Sequence, residues 1–129
     1  MKLCHLSSLL IAVPALVAVI LGRWTDFMVI ITQTITSIWI HFTGSPIALR
    51  IDQTALAVLI ARTLSLAITG YITIGLFILG FGYMFIMYTY GYFNKCFCFD
   101  PCPKKSDRYH SSIHILGIAI YTASMIWFL

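Results

Sequence analysis

Apolar residues fall into long runs along this chain, and polar ones mark where the runs end. Leu6 to Gly22 is apolar apart from Ser7, Ser8 and Pro14, and it follows a short head carrying Lys2. A basic head before an apolar stretch is the pattern of a secretory signal. The next residues, Arg23-Trp24-Thr25-Asp26, offer no small-x-small cleavage pattern, so the run is expected to stay as a first helix, kinked at Pro14. Phe27 to Phe42 is a second run of 16 residues containing Thr32, Gln33, Thr34, Thr36, Ser37 and His41. It is short and polar for a span of ~20 residues, so a buried or interfacial helix is the alternative. It lacks the basic polar face of a surface helix, and Trp24 and Trp39 stand near its ends as interfacial anchors do. A span over 27–43 is therefore expected.

Gly44-Ser45-Pro46 breaks the pattern, with Arg50, Asp52 and Gln53 continuing a polar connection. Ala55 to Phe93 is then apolar almost throughout, broken only by Arg62. At 1.5 Å per residue these 39 residues make a helix of roughly 58 Å, about twice the hydrocarbon thickness. A hairpin inside the run would call for a polar turn, and none is present. The reading is one long helix extending beyond the bilayer, with Arg62 at the interface, a span over 64–88, and Tyr83, Tyr88, Tyr90 and Tyr92 as an aromatic belt. The stretch NKCFCFDPCPKKSDRYH over 94–110 is the one clearly polar loop. A last span covers 111–128, with Ser111 or Ser112 as its N-cap. The elements predicted are those of an all-α, polytopic integral membrane protein with three to four transmembrane helices in a single membrane domain.

Composition agrees. Sixty per cent of the 129 residues are hydrophobic and 9% are charged, against ~45–50% and ~25% in soluble domains; the mean hydropathy is +0.96. A soluble globule of this size cannot cover so much apolar surface, and disorder requires the opposite composition. The eight Lys and Arg residues exceed the four Asp residues, with no glutamate. With four spans, Arg23, Lys95, Lys104, Lys105 and Arg108 share a side, against Lys2, Arg50 and Arg62 on the other. If the second run does not span, Lys2 joins the 94–110 loop and the bias is again five to three. Either way the loop falls on the positive-inside face, cytoplasmic or matrix, and the C-terminal end on the opposite side. The basic residues Arg62, Lys95, Lys104, Lys105 and Arg108 read as interface and lipid head-group contacts. No long basic stripe exists, and nucleic acid is not an expected partner.

The candidate chemistry is sparse. Asp26, Asp52, Asp100 and Asp107 all fall in or beside predicted loops, so no span carries the buried acid of an ion-coupled machine. Cys96, Cys98 and Cys102 form C-x-C-x3-C, a possible thiol cluster or lipidation site on a reducing face, although the spacing is not a usual zinc one. His110 and His114 stand one helical turn apart, a spacing that can bind metal, but the expectation is a pair of interfacial polar residues at a helix start, with no metal ligand in the chain. In a four-span arrangement, however, His41 and His114 lie at opposite levels, which argues against a haem held between them. His5 and His41 share a level. Gly75 and Gly82 mark one face of the third span, and Ala119 and Ala123 one face of the last; small residues let membrane helices pack closely. The triplet Phe99-Asp100-Pro101 resembles the cysteine-containing loop of a small core subunit of respiratory complex I. The Glu-Cys-Gly that should precede it is Cys96-Phe97-Cys98 here, and one acid-free span follows instead of two, so no role carries over.

No catalytic motif or cofactor fingerprint is present. The expected function is that of a non-catalytic, non-enzymatic membrane subunit, without a cofactor, packed among other transmembrane subunits and lipid in a respiratory, photosynthetic or secretion complex. The alternatives are a self-assembling pilin-like or channel-like hairpin, whose plan the last two spans and their basic loop share, and a small carrier acting on a lipid through Arg62 and the histidines.

Overall fold

A computed structural model describes residues 3–68 and 71–127, which are almost wholly helical and contain no strand. Lys2, Gly70 and Phe128 lie outside the described residues, and so does the side chain of Cys4. The first run forms α1 (Leu3–Leu10) and α2 (Ala12–Ile20). The break between them sits one turn before Pro14, where a proline ring clashes with the carbonyl four residues back; this is the expected kink. Gly22, at φ 67°, then turns the chain in a left-handed conformation, and the Arg23 amide reaches back to the Ala18 carbonyl at 2.8 Å. That closure is a Schellman-type cap, which favours glycine.

The second run becomes α3 (Trp24–Thr43), 20 residues long and hence roughly 30 Å, a full hydrocarbon thickness. Gly44 (φ 60°) ends it, and Pro46 opens α4 (Pro46–Ile68), as suits a residue whose missing N–H is unneeded in a first turn. The expected polar connection at Arg50–Gln53 is therefore part of a helix. Arg50 points outward, while Asp52 turns inward and accepts hydrogen bonds from Gln33 Nε2 and Thr36 Oγ1, both at 2.9 Å.

The long apolar run is where expectation and structure part. It is divided between α4 and α5 (Tyr71–Phe85); α5 continues through a π-helical turn (Ile86–Tyr90) into the short α6 (Gly91–Asn94). The described residues form no single long helix extending beyond a bilayer, and the span over 64–88 is replaced by parts of two helices. The contacts fix the directions. Asp52 meets Gln33 and Arg62 meets Asp26, so α4 runs antiparallel to α3. Tyr83 shares a hydrogen bond with Ser112 at 2.8 Å, and Gly80 packs on Ile120, so α5 runs antiparallel to α7 (Pro103–Ile126). Thr69 and Gly70 stand between the two helices in sequence and lie outside the described residues.

The last helix starts eight residues before the expected span. Pro103 follows the N-cap Cys102, so the polar loop shrinks to Lys95–Cys102 around a 3-10 turn (Phe97–Phe99). Ser111 and Ser112 do not cap it; their hydroxyls bond back to the carbonyls of Asp107 and Tyr109. The outcome is five antiparallel passes: α1/α2, α3, α4, α5/α6 and α7.

An apolar cluster that includes Ile11, Ile30, Leu66 and Met125 is buried between the helices, and polar side chains are buried beside it. Asp26, Gln33, Thr34, Thr36 and Ser37 are buried on α3, whereas Leu16, Ile20, Ile35, Leu79 and Phe93 are exposed. Ser8, Ala18, Ala48, Ala67 and Ser124 are completely covered, as expected of helices that approach through small side chains. Helices α4 (Pro46–Ile68) and Ile74–Asn94 are long and apolar enough to cross a membrane.

Candidate metal centre

Five passes bring together residues that four passes keep apart. His41 lies in the last turn of α3, His110 and His114 lie one turn apart on α7, and His5 lies near the start of α1. Because α3 and α7 are antiparallel, all four of the chain's histidines meet at one end of the bundle. The ring centroid of His41 stands 5.0 Å from that of His110 and 5.6 Å from that of His114, while His110 and His114 are 4.9 Å apart. The expectation that His41 and His114 lie at opposite levels is thus overturned, because the hidden reversal between α4 and α5 changes the parity of every later helix. The expectation that His5 and His41 share a level holds: His5 Nε2 donates to the His41 carbonyl at 3.1 Å, and its ring stacks on Phe42.

One nitrogen from each of His41, His110 and His114 lies within 4.8 Å of the others. Ser7 Oγ is 2.9 Å from His114 Nδ1, which leaves Nε2 as the nitrogen turned away from that bond. Tyr88 packs edge-on against His110. Among the described residues no cysteine joins this group.

The histidines open onto a cavity of about 90 Å³. His110, His114 and Tyr88 line one end, Gln33 and Asp52 the middle, and Tyr121 the far end. Gln33 Oε1 is buried there without a hydrogen-bond partner among the described residues, within a lining otherwise made mostly of apolar side chains such as Ile30, Leu59, Phe81 and Met84.

A second polar centre occupies the opposite end. Asp26 is 1% exposed, yet it is fully satisfied: Arg23 Nε and Arg62 Nε each donate to it at 2.6 Å, and Tyr121 Oη donates at 2.8 Å. Arg23 also reaches the Met125 carbonyl at 3.1 Å. The acid read as a loop residue is therefore internal, and Arg62, read as an interface contact, is its internal partner. Sequence reasoning missed this set because Arg62 and Tyr121 lie 36 and 95 positions from Asp26; the isolated arginine in an apolar run was the available signal.

The other candidates are scattered. Lys95, Lys104, Lys105 and Arg108 are exposed at the histidine end, with Lys95 Nζ 4.8 Å above the Tyr92 ring. Cys98 is buried, Cys96 half-buried and Cys102 exposed. Burial pushes the Cys98 thiol up to about 11, so it is a poor nucleophile at neutral pH. Gly75 and Gly82 face open space, with nothing within 4 Å of an added Cβ. It is Gly80 that packs inside the chain. Ala119 is exposed and Ala123 half-buried.

Comparison with protein-family models, with curated proteins and with solved structures finds no match to this chain.

Proposed function

We propose that the chain is an integral membrane protein, crossing the bilayer five times and serving as a non-catalytic packing subunit of a larger membrane assembly. The observation that carries this reading is the outer face of α5. Ile78, Leu79 and Phe85 are 64%, 72% and 69% exposed, and Gly75 and Gly82 stand in open space beside them. Small residues on an outward apolar face suit the approach of a further helix, with lipid covering what remains. The buried polar residues of α3 support a lipid surround, because the side of the bundle that would face water in a soluble protein is the apolar one.

Charge supports an orientation. Arg50, Lys95, Lys104, Lys105 and Arg108 are exposed at the histidine end, whereas Arg23 and Arg62 at the other end are engaged by Asp26. Among the described residues, five bases against two support a reading with the histidine end on the cytoplasmic or matrix side, beside anionic head groups.

Purification under mild detergent, with cysteines placed at Gly75 and Gly82 for cross-linking, tests the reading. Cross-links to a different co-purifying membrane protein are expected. A monomer that cross-links to nothing overturns it, and a homo-oligomer replaces it with the self-assembling alternative.

A further inference from the structure

We propose that His41, His110 and His114 bind one divalent transition-metal ion of the zinc class, with a fourth coordination position open to the internal cavity. The proposal stands apart from the question of partner subunits, because every ligand comes from this chain.

Geometry comes first. Three nitrogens mutually within 4.8 Å enclose a point no more than about 2.8 Å from each of them, and zinc–imidazole bonds are about 2.0–2.1 Å. Each ring has to move in by less than about 1 Å, which χ rotations on two fixed helices supply. The scaffold presents the rings from two sides: His110 and His114 are one turn apart on α7, and α3 delivers the third ligand from the facing direction.

The donor set selects the metal. Three imidazoles without a carboxylate or thiolate suit zinc, copper, nickel or iron, and they exclude the oxygen-seeking magnesium and calcium. The surroundings supply what a ligating histidine usually has, a partner on its other nitrogen. Ser7 Oγ engages His114 Nδ1, which directs Nε2 to the ion. Three protein ligands with a vacant position form the open type of zinc site, whose fourth ligand is water or a small substrate. His110 and His114 also line the cavity, so that position points into a space of molecular size.

The ion would tie α3 to α7, and through Ser7 it would bring in α1. His5 stacks on Phe42 and donates to a backbone carbonyl; it positions α1 against α3 and lies outside the ligand set.

The test uses the full chain without a polyhistidine tag, in detergent micelles or nanodiscs, with Co²⁺ and Zn²⁺ as probes. The expected result is one Co²⁺ per chain, displaced by Zn²⁺, with visible absorption bands of low-coordinate cobalt. His41→Ala, His110→Ala and His114→Ala each abolish those bands. His5→Ala keeps them, and Ser7→Ala weakens binding roughly tenfold. Should an alanine variant fail to fold, the unaltered chain still decides the matter: Zn²⁺ is expected to protect His41, His110 and His114 from diethyl pyrocarbonate, as read by mass spectrometry. Binding that survives all three substitutions, or the absence of both binding and protection, overturns the site and leaves three packed rings.

Discussion

The two ends of the bundle solve the burial of polar groups in opposite ways. At one end, Asp26 is surrounded by donors: two arginines and Tyr121 consume its lone pairs, and Arg23 goes on to cap the Met125 carbonyl. At the other end, three imidazoles crowd together, with one nitrogen of each within 4.8 Å of the others and Asp107 one turn before His110 on α7. Imidazole nitrogens of this kind are ligands for a transition-metal ion. The first end is complete as it stands and holds helices together. The second is arranged as a receptor for a cation. The contrast teaches that buried polarity is a structural tie where donors and acceptors match, and a candidate binding site where ligand atoms of one kind gather.

The largest expected effect tests the balanced end. Asp26→Ala leaves two half-buried arginines and Tyr121 without their shared acceptor, and losing these charge-assisted hydrogen bonds together costs about 3–5 kcal/mol. Reversible unfolding in mixed micelles measures it, and a variant as stable as the parent would show that the network does not hold the fold. At the histidine end the effect has the opposite sign. Zinc at a hundredfold excess over its dissociation constant is expected to add about 2.7 kcal/mol to the unfolding free energy. The gain should vanish in His110→Ala and persist in Tyr121→Phe. Equal gains in both variants would dissolve the distinction between the ends.

A smaller effect separates inward from outward packing on α5. Gly80→Ala places a methyl against Ile120 Cδ1, and overpacking a contact whose neighbour is a movable side-chain end costs about 1 kcal/mol. Gly75→Ala and Gly82→Ala meet open space and should cost the isolated chain nothing, with a gain of up to about 1 kcal/mol from replacing a helical glycine. A large loss at Gly82 alone would move the packing seam. The smallest effect is kinetic. With the Cys98 thiol raised to about 11, its maleimide labelling should be slow at pH 7.5 and climb about tenfold per pH unit as the thiolate fraction grows. Exposed Cys102 should label first, and mass spectrometry reads the order.

Much of the local structure was legible from residue type. Pro14 announced a break, Gly44-Ser45-Pro46 a turn, and the run beginning at Phe27 a helix, because each signal acts within a few residues. The reversal between α4 and α5 was not legible, since Ala55 to Phe93 holds no proline and no charged residue but Arg62 to mark a turn. That one hidden turn decided the candidate site. The His110/His114 spacing was visible on its own, but its union with His41 depends on the parity of passes. Asp26 and Arg62 were likewise judged by their neighbours in sequence, whereas their partners come from other helices.

Parity also provides the most direct test. Five passes put Gly44 and Lys104 on the same face of the membrane, whereas four spans put them on opposite faces. Single cysteines at these two positions, in a chain whose four native cysteines are replaced by serine, can be labelled with a membrane-impermeant maleimide in oriented vesicles. Labelling of both from the same side is the expected result. Labelling from opposite sides would contradict the five-pass bundle and, with it, the gathering of the histidines.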